Sequence, residues 1–413
     1  MSELRCVEEH LDHILAHVRP LDPELVALAA ARGRTLRAPL QAGVDIPVFD
    51  NSAMDGFAVR FADVAGAAGG TPVALRVVAD LPAGSALDPP IGPGEAVRIM
   101  TGAAVPTAAD AIVPFEDTVG GLAHSLGEIA VLCAPARPGA HIRRRGEDAV
   151  AGDEMLPAGV ALGPLQLAAA AAAGIPHVVA SPRPRVAVVS TGSELVAPGL
   201  PLERGQIPES NSALLAGLVE DAGAVVAHRA VVSDDGDGLA ALMARLSGVD
   251  AVVFSGGVSA GAYEVVRTTL ADTMEFTKVA LQPGKPQGFG ALAAGHRVTL
   301  LFGLPGNPVS AAVSFEVFVR PALLALQGRE RLQRPVLRLP AASGWRTPPG
   351  RRQYLPAAID RGDPGCWTVR PATAGGSGSH LAGGLARAEA YAVVPAEVAE
   401  VAAGDPVDVM LIS

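Results

Sequence analysis

The spacing of apolar and polar residues divides the chain into regions of different character. In residues 4–32 the pattern is helical and is interrupted at Pro20 and Pro23, which predicts two helices. Residues 35–140 instead contain short β-like runs separated by Gly/Pro turns, which is typical of an irregular β-rich module. Residues 141–180 become helical again, around an alanine-rich helix that ends at glycine and proline.

A regular alternation of strands and helices follows and ends near residue 327. The predicted strands are 186–190, 224–232, 250–254 and 298–303, and the predicted helices are 211–222, 237–247, 263–271 and 308–327. These strands are continuously apolar, as expected for parallel strands that are buried on both faces. The pattern therefore predicts a parallel α/β sheet covered by helices.

These patterns predict a multidomain protein of class α/β plus β. The length of 413 residues suits two to four domains. We expect a discontinuous helical domain (1–34 and 141–180), a β-rich domain (35–140), a central parallel α/β domain (181–330) and a C-terminal domain of short strands (331–413), which form a small β-barrel or sandwich.

Composition and charge narrow the class of protein. Hydrophobic residues make up 49% of the chain and charged residues 18%, so a large core is expected. The formal net charge is −10 and the chain has no long Lys/Arg run, which argues against a nucleic-acid partner. An acidic protein that binds an anion needs a bridging cation or local amide donors at the site.

The cysteines and the N-terminal sequence indicate a compartment. Cys6, Cys133 and Cys366 lie far apart and lack metal-ligand spacing, which suits a reducing environment without structural zinc. The opening sequence MSELRCVEEH is charged and is not a signal peptide, and no apolar segment free of glycine, proline or charge is long enough to span a membrane. We therefore predict a cytoplasmic protein with no membrane partner.

Three histidines, His10, His13 and His17, recur on one face of the first predicted helix. No carboxylate or cysteine completes a coordination set beside them. A solvated face or an interface is therefore favoured over a metal site.

Candidate binding residues follow the predicted strands of the α/β domain. In an open parallel sheet, ligands bind beyond the carboxyl ends of the strands, and three loops there are rich in Gly, Ser and Thr. Small residues let backbone amides approach a ligand, and Asn307 with Pro308 suits a helix N-terminus that attracts anions. Each loop alone could be an ordinary strand-to-helix turn, but three together favour a phosphate site. The candidates are Thr191, Gly192, Ser255, Gly256, Gly257, Ser259, Pro305, Gly306, Asn307, Pro308 and Ser310.

Charged residues that follow the same strand ends suggest that a metal ion and a cationic side chain lie beside the phosphate. Glu194, Asp234 and Glu264 each follow a strand end, and carboxylates beside phosphate are the setting in which magnesium binds. Lys285 lies on a turn between Gly284 and Pro286. Its compact ammonium suits an oxyanion, although a solvated turn lysine is an equal alternative.

Several strings together resemble one family, the molybdopterin molybdenumtransferases of MoeA type, which include the E domains of gephyrin. The strings are DNSAMDGFAVR (50–60), RIMTGAAVP (98–106), RRRGED (143–148), PRVAVVSTGSEL (184–195), GQIPESN (205–211), SGGVSAG (255–261), PGKPQGFG (283–290) and GLPGNPVSA (303–311). The resemblance runs nearly end to end. It implies a helical segment, a β-rich lasso domain, a molybdopterin-binding α/β domain and a C-terminal β-barrel.

The resemblance also implies an activity. Such proteins insert molybdenum from molybdate into adenylylated molybdopterin, release AMP and need Mg²⁺. They form homodimers in which the lasso domain of one subunit approaches the α/β domain of the other, and other proteins of molybdenum cofactor biosynthesis are further expected partners.

Family positions carry over to this chain residue by residue. The expected catalytic residues are Asp55, Thr101, Asp148, Glu194, Asp234, Lys278 and Lys285. Ser379 joins the binding residues, and Glu194, Asp234 and Glu264 are the expected metal ligands. The chain departs from the family pattern at Ser193 and Glu264, where Asp is usual, at Gln282, where Lys is usual, and at Pro356, where Arg is usual; Arg351 or Arg352 is a candidate substitute.

Two alternatives to this activity stay open at this point. One is adenylylation of molybdopterin by ATP, because the related adenylyltransferases resemble the α/β module alone. The other is a scaffold that binds the pterin without turnover, because two cations of the oxyanion pocket are absent.

Overall fold

The computed structural model describes residues 4–234, 237–258, 264–294, 297–362, 365–373, 378 and 382–412. The first helix, Val7–Leu15, begins at the N-cap Cys6, whose Sγ accepts a hydrogen bond from the Glu9 amide. The Glu9 carboxylate in turn accepts from the Cys6 amide at 3.1 Å, which completes a capping box. Val7 and Ile14 pack into the core of the central domain, so the helix is attached there.

The histidine face of this helix is an interface, one of the two expected alternatives. His10 is 1% exposed and meets the Phe318 ring edge-on, with centroids 4.8 Å apart. Burial, together with the nearby charges of Arg5 and His13, lowers the pKa of His10 to about 4. In the part of the chain that the structure describes, no group of three or more His, Cys, Asp or Glu side chains could hold a metal.

The second predicted helix of residues 4–32 is wrong. Glu24–Ala27 is a strand that pairs antiparallel with His177–Ala180, and only the 3₁₀ turn Leu28–Ala30 follows it. The partner strand lies about 150 positions away in sequence, so this pairing leaves no local signal. The region predicted as helical therefore combines short strands with the helix Pro164–Ala172.

The β-rich region contains a five-stranded sheet, as its pattern predicts. In spatial order its strands are Ala111–Pro114, Gly56–Val59, Glu95–Ile99, Val73–Leu81 and Glu128–Val131. Shorter elements surround it: strands Leu40–Gln41, Asn51–Ser52, Ile142–Arg143 and Glu154–Leu156, helix Phe61–Val64, and 3₁₀ turns Phe115–Asp117 and Gly121–His124. Fully buried Phe57 and Val113 lie in the core on one face of the sheet.

The central sheet has six strands, in the order Val225–Val232, Arg185–Thr191, Ala251–Ser255, Arg297–Leu304, Pro286–Ala294 and Met274–Lys278. The first four are parallel, as predicted. The last two strands were not predicted. Pro286–Ala294 pairs antiparallel with both of its neighbours, Arg297–Leu304 and Met274–Lys278, so the sheet is mixed. The sequence does not reveal this edge because its pairing requires glycine. A Cβ at Gly290 would lie 2.2 Å from the Thr273 carbonyl oxygen, so the β-branched residues that usually indicate a strand are excluded there.

Helices cover this sheet close to their predicted positions. They are Asn211–Asp221, Asp237–Arg245, Val265–Thr269 and Pro308–Leu326, the last with a π-helical turn at Phe315–Val319. Pro308–Leu326 is long and apolar enough to cross a membrane, yet 89% of it is buried inside the fold. Burial of this kind is typical of the core helix of a globular domain.

The C-terminal sheet incorporates a strand from the central domain. Its order is Leu281–Gln282, Arg352–Asp360, Ala390–Val394, Pro406–Leu411 and Val336–Pro340, with Thr368–Pro371 beside Arg352–Asp360. Trp345–Arg346 pairs with Glu400–Val401, Leu195–Val196 pairs with Ile207–Pro208, and Ala382–Arg387 is a 3₁₀ helix. Leu281–Gln282 lies between the two antiparallel strands of the central sheet, so residues 278–286 join both sheets.

Candidate functional site

A cleft of about 600 Å³ lies at the carboxyl ends of the parallel strands of the central sheet. This is the place predicted from the strand pattern. The structure brings together Thr191, Gly192, Glu194, Asp234, Ser255, Gly256, Gly257, Glu264, Lys285, Pro305, Gly306, Asn307, Pro308 and Ser310. The predicted Ser259 and Ser379 lie outside the described residues.

Two glycines hold the first two strand-end loops together. Gly256 has φ +94°, and a Cβ there would lie 2.5 Å from the Thr191 carbonyl oxygen. Gly257 has φ +68°, and its Cβ would lie 3.0 Å from Thr191 Oγ1. A side chain at either position would therefore push the two loops apart.

The third loop has the predicted arrangement of asparagine and proline. Asn307 is the N-cap residue of the long core helix, and Pro308 is its first helical residue. The Gly306 carbonyl accepts a hydrogen bond from Asn211 Nδ2 at 2.6 Å, which ties this loop to the start of helix Asn211–Asp221. The loop is thus fixed from both sides.

The acids line the cleft without forming a compact metal set. Asp234 Oδ2 accepts from the Ser193 amide at 3.0 Å, while Ser193 Oγ accepts from the Asp234 amide at 3.1 Å. Glu194 and Glu264 lie on the same cleft. No three acids among the described residues are close enough to bind a cation by themselves.

The two lysines of the chain have different surroundings. Lys285 lies half-buried in the cleft, and within the described part of the chain it forms no ion pair. Lys278 is exposed at the end of strand Met274–Lys278 and does not line the described cleft. Of the two lysines predicted for the site, Lys285 lines the described cleft and Lys278 does not.

Gln282, one of the predicted departures from the resembled family's pattern, also lines the cleft. Its Oε1 accepts a hydrogen bond of 2.5 Å from Arg351 Nη1. The other candidate substitute, Arg352, pairs with Glu8 instead. Of the two arginines, Arg351 is the one that contacts a residue of the cleft.

The catalytic residues predicted before residue 180 do not line this cleft. Asp55 accepts from the Thr101 amide at 2.6 Å and from Thr101 Oγ1 at 2.7 Å, and these bonds lower the pKa of Asp55. The Asp148 amide donates to the Ile46 carbonyl at 2.9 Å. Within one chain, none of these three residues lines the cleft.

Glu209 was missed as a functional residue. It is 5% exposed, lines the cleft, and accepts hydrogen bonds from Ser190 Oγ at 2.9 Å and from the amide and hydroxyl of Ser212. Ser255 Oγ lies 3.3 Å from Ser190 Oγ and extends this network beneath the first two loops. The signal was the acid three residues before Ser212, which predicts an interaction at the start of a helix.

Two buried polar atoms in the cleft lack a protein partner among the described residues. They are Thr191 Oγ1 and Asn211 Oδ1. The asparagine oxygen can only accept a hydrogen bond, whereas the hydroxyl can donate or accept. Because unpaired buried polar groups are costly, this pair suits a ligand that brings its own N–H groups.

Family models match the chain over most of its length. The model described as MoeA N-terminal region (domain I and II) matches residues 5–174. The model described as "Probable molybdopterin binding domain" matches residues 187–325, and MoeA C-terminal region (domain IV) matches residues 338–412.

Individual relatives agree with these models. Molybdopterin molybdenumtransferase 2 of Mycobacterium tuberculosis is 44% identical over 415 residues, covering 98% of this chain and 99% of the relative. Molybdopterin molybdenumtransferase 1 of the same organism is 36% identical, covering 99% of each chain. The crystal structure of the molybdopterin biosynthesis MoeA protein from Pyrococcus horikosii covers 99% of both chains, with a TM-score of 0.76 at 31% identity.

Proposed function

The chain belongs to the molybdopterin molybdenumtransferase family, and from that premise we propose that it inserts molybdenum from molybdate into adenylylated molybdopterin and releases AMP. It is a transferase of molybdenum cofactor biosynthesis with the MoeA fold, which is mixed α/β and β-rich. The observation that carries the proposed reaction is the gathering of three strand-end loops and Lys285 around one cleft.

The strand-end loops are the proposed binding site for the pterin and its phosphates. Gly256 and Gly257 keep the floor of the cleft open, so backbone amides come close to an anionic group. Asn211 Oδ1 and Thr191 Oγ1 supply polar atoms for a nitrogen heterocycle. A pterin carries N–H donors that match the asparagine acceptor.

Lys285 and Ser310 are the proposed residues that hold molybdate. Both line the cleft, and the ammonium of Lys285 suits an oxyanion. Held beside the two dithiolene sulfurs of the pterin, molybdate would bind both sulfurs and lose one oxide, which leaves as water with the two sulfur protons. Cleavage of the phosphoanhydride by water separates AMP from the pterin phosphate.

The acids of the cleft are suitable for magnesium. Glu194, Asp234 and Glu264 offer carboxylate oxygens, the ligand type that Mg²⁺ prefers. Magnesium is usually held by one or two carboxylates together with substrate phosphates and water, so a preformed set of three ligands is not required. When bound, the ion would neutralise the charge of the pyrophosphate.

The proposal includes a cytoplasmic homodimer. Asp55, Thr101 and Asp148 lie away from the cleft of their own chain. In the proposed dimer they would belong to the lasso domain (35–140) and the helical segment (1–34 with 141–180) of one subunit and face the α/β domain (181–330) of the other. The C-terminal domain (331–413) is the fourth proposed domain of each subunit.

An AMP-release assay tests the proposed reaction. The full chain is mixed with adenylylated molybdopterin and magnesium, and AMP is measured as molybdate is added. We expect AMP release to rise with molybdate until it saturates. AMP release that is indifferent to molybdate would contradict the proposal, and consumption of ATP with free molybdopterin would favour adenylylation instead.

A further inference from the structure

Gln282 replaces a cation of the cleft, but an arginine lies directly behind it. Arg351 immediately precedes strand Arg352–Asp360, which pairs in register with Leu281–Gln282. The Arg352 amide donates to the Ala280 carbonyl at 2.9 Å and fixes this register. Arg351 is therefore held beside Gln282 by backbone pairing between the C-terminal and central regions.

The contact determines which way the Gln282 amide points. A guanidinium has only N–H donors and no acceptor, so the atom it meets must be the amide oxygen. The hydrogen bond of 2.5 Å from Arg351 Nη1 to Gln282 Oε1 satisfies this condition. The Nε2 group lies on the opposite branch of the amide and carries two N–H donors.

These donors are suitably located for an oxyanion. Gln282 and Lys285 line the same cleft, three positions apart in one segment. Because the Arg351 contact is charge-assisted, it polarises the amide and strengthens the N–H groups as donors. Without the guanidinium the amide could rotate and present its oxygen to the anion, which would repel it.

We propose that Arg351 is a positioning residue that holds the Gln282 amide with its N–H donors toward molybdate. The inference rests on the proposed function and deepens it. This chain would replace an ammonium in direct contact with the oxyanion by a neutral donor that is backed by a guanidinium. The positive charge is retained, one side chain further from the ligand.

Equilibrium dialysis of molybdate against the full chain tests this arrangement. We expect Arg351→Ala and Gln282→Leu each to weaken binding about tenfold, the effect of losing one hydrogen bond to a charged group. Gln282→Glu keeps the contact with Arg351 but has no donor, so it should weaken binding at least as much. Arg352→Ala is the matched control, because Arg352 pairs with Glu8, and it should bind like the wild type.

A double variant separates positioning from a simple charge effect. If Arg351 acts through Gln282, the variant with both Arg351→Ala and Gln282→Leu should bind no worse than Gln282→Leu alone. Arg351→Lys should recover part of the affinity, because an ammonium is also a pure donor. In the AMP-release assay, the same variants should raise the KM for molybdate more than they lower kcat.

The outcomes distinguish the two proposals. Multiplied losses in the double variant, or wild-type affinity in Arg351→Ala, would overturn the positioning role alone. If the wild-type chain binds no molybdate and its AMP release ignores molybdate, the proposed function fails and this inference fails with it. Thermal unfolding of each variant identifies losses caused by misfolding. Should Arg351→Ala not fold, Arg351→Gln, which keeps a side chain of similar length without the charge, takes its place, and wild-type affinity in that variant would also overturn the positioning role.

Discussion

Ser193 and Asp234 exchange two hydrogen bonds at the cleft, each through its backbone amide and its side-chain oxygen. The exchange joins the loops that follow two neighbouring parallel strands, Arg185–Thr191 and Val225–Val232. Ser193 accepts from the Asp234 amide through a neutral hydroxyl, so it adds no second negative charge beside Asp234. Asp234 is consequently oriented by the serine and free of like-charge repulsion from it.

This arrangement predicts the effect of removing the charge of Asp234. Asp234→Asn keeps an oxygen that can accept from the Ser193 amide, so the unfolding temperature should change little. We expect the magnesium concentration for half-maximal AMP release to rise about tenfold, a typical cost of weakening a metal site. Asp221→Asn, at the far end of helix Asn211–Asp221, is the control; an unchanged magnesium requirement in Asp234→Asn would exclude this role.

The two lysines provide a matched pair for the oxyanion site. Lys285→Ala should lower molybdate affinity about tenfold or more, because a half-buried ammonium is lost from the cleft. Lys278→Ala should leave affinity nearly unchanged, since Lys278 is exposed outside the cleft. Equal losses in both variants, measured by molybdate dialysis, would mean that Lys278 reaches the site after all.

Glu209 is expected to stabilise the base of the cleft. Glu209→Ala would leave the hydroxyl of Ser190 and the amide and hydroxyl of Ser212 without their acceptor. Buried donors that lose a charged partner cost stability, so we expect the free energy of unfolding to fall by about 3 kcal/mol. Urea unfolding measures this loss. The exposed Glu203→Gln should be neutral, and a neutral Glu209→Ala would show that the network adds no net stability.

The dimer proposal predicts that two impaired variants restore each other when assayed at a molybdate concentration too low for Lys285→Ala to turn over. Asp55→Asn impairs the β-rich region and Lys285→Ala impairs the cleft. If each active centre takes one part from each subunit, subunit exchange between the variants should recover about a quarter of wild-type AMP release. No recovery after verified exchange would place both residues' effects within one subunit.

His10 predicts a sensitivity of folding to acid. Its pKa falls from 6.5 to about 4 because folding buries the ring. Below pH 6.5 the unfolded chain therefore gains a proton at His10 that the folded chain does not accept until about pH 4. The free energy of unfolding therefore falls by about 3 kcal/mol as the pH is lowered from 6.5 to about 4. Above pH 6.5 His10 causes no such loss.

The corresponding variant removes that part of the pH dependence. His10→Leu should lose less stability than the wild type between pH 7 and pH 4, measured by urea unfolding at each pH. His17→Gln is the control, because His17 is exposed just after the end of the same helix. Parallel pH profiles for His10→Leu and the wild type would show that His10 does not govern this transition.

The parts of the fold that were predictable have strong local signals. Four largely apolar strands located the cleft, because the carboxyl ends of parallel strands meet at one edge of the sheet. The antiparallel edge was missed because its close pairing depends on Gly288 and Gly290, which resemble loop residues in a sequence. Strand Glu24–Ala27 was missed because its partner is remote.

The site was predictable to a similar extent. The loops directly after the main strands were identified, whereas Glu209 and Asn211 follow the short strand Ile207–Pro208, which carries almost no apolar signal. Lys278 was placed in the site by resemblance alone, and its exposure follows from the turn of an unpredicted hairpin. Asp55 and Thr101 are brought together by hydrogen bonds, but they do not line the cleft of their own chain.

The segment 278–286 is an integral part of two sheets at once. Because it contributes residues to both sheets, it fixes Gln282 and Lys285 relative to the C-terminal sheet as well as the central sheet. An insertion or deletion within residues 278–286 would displace both Gln282 and Lys285. Relatives whose cleft has a different selectivity are thus expected to differ both in residues 278–286 and in the C-terminal sheet.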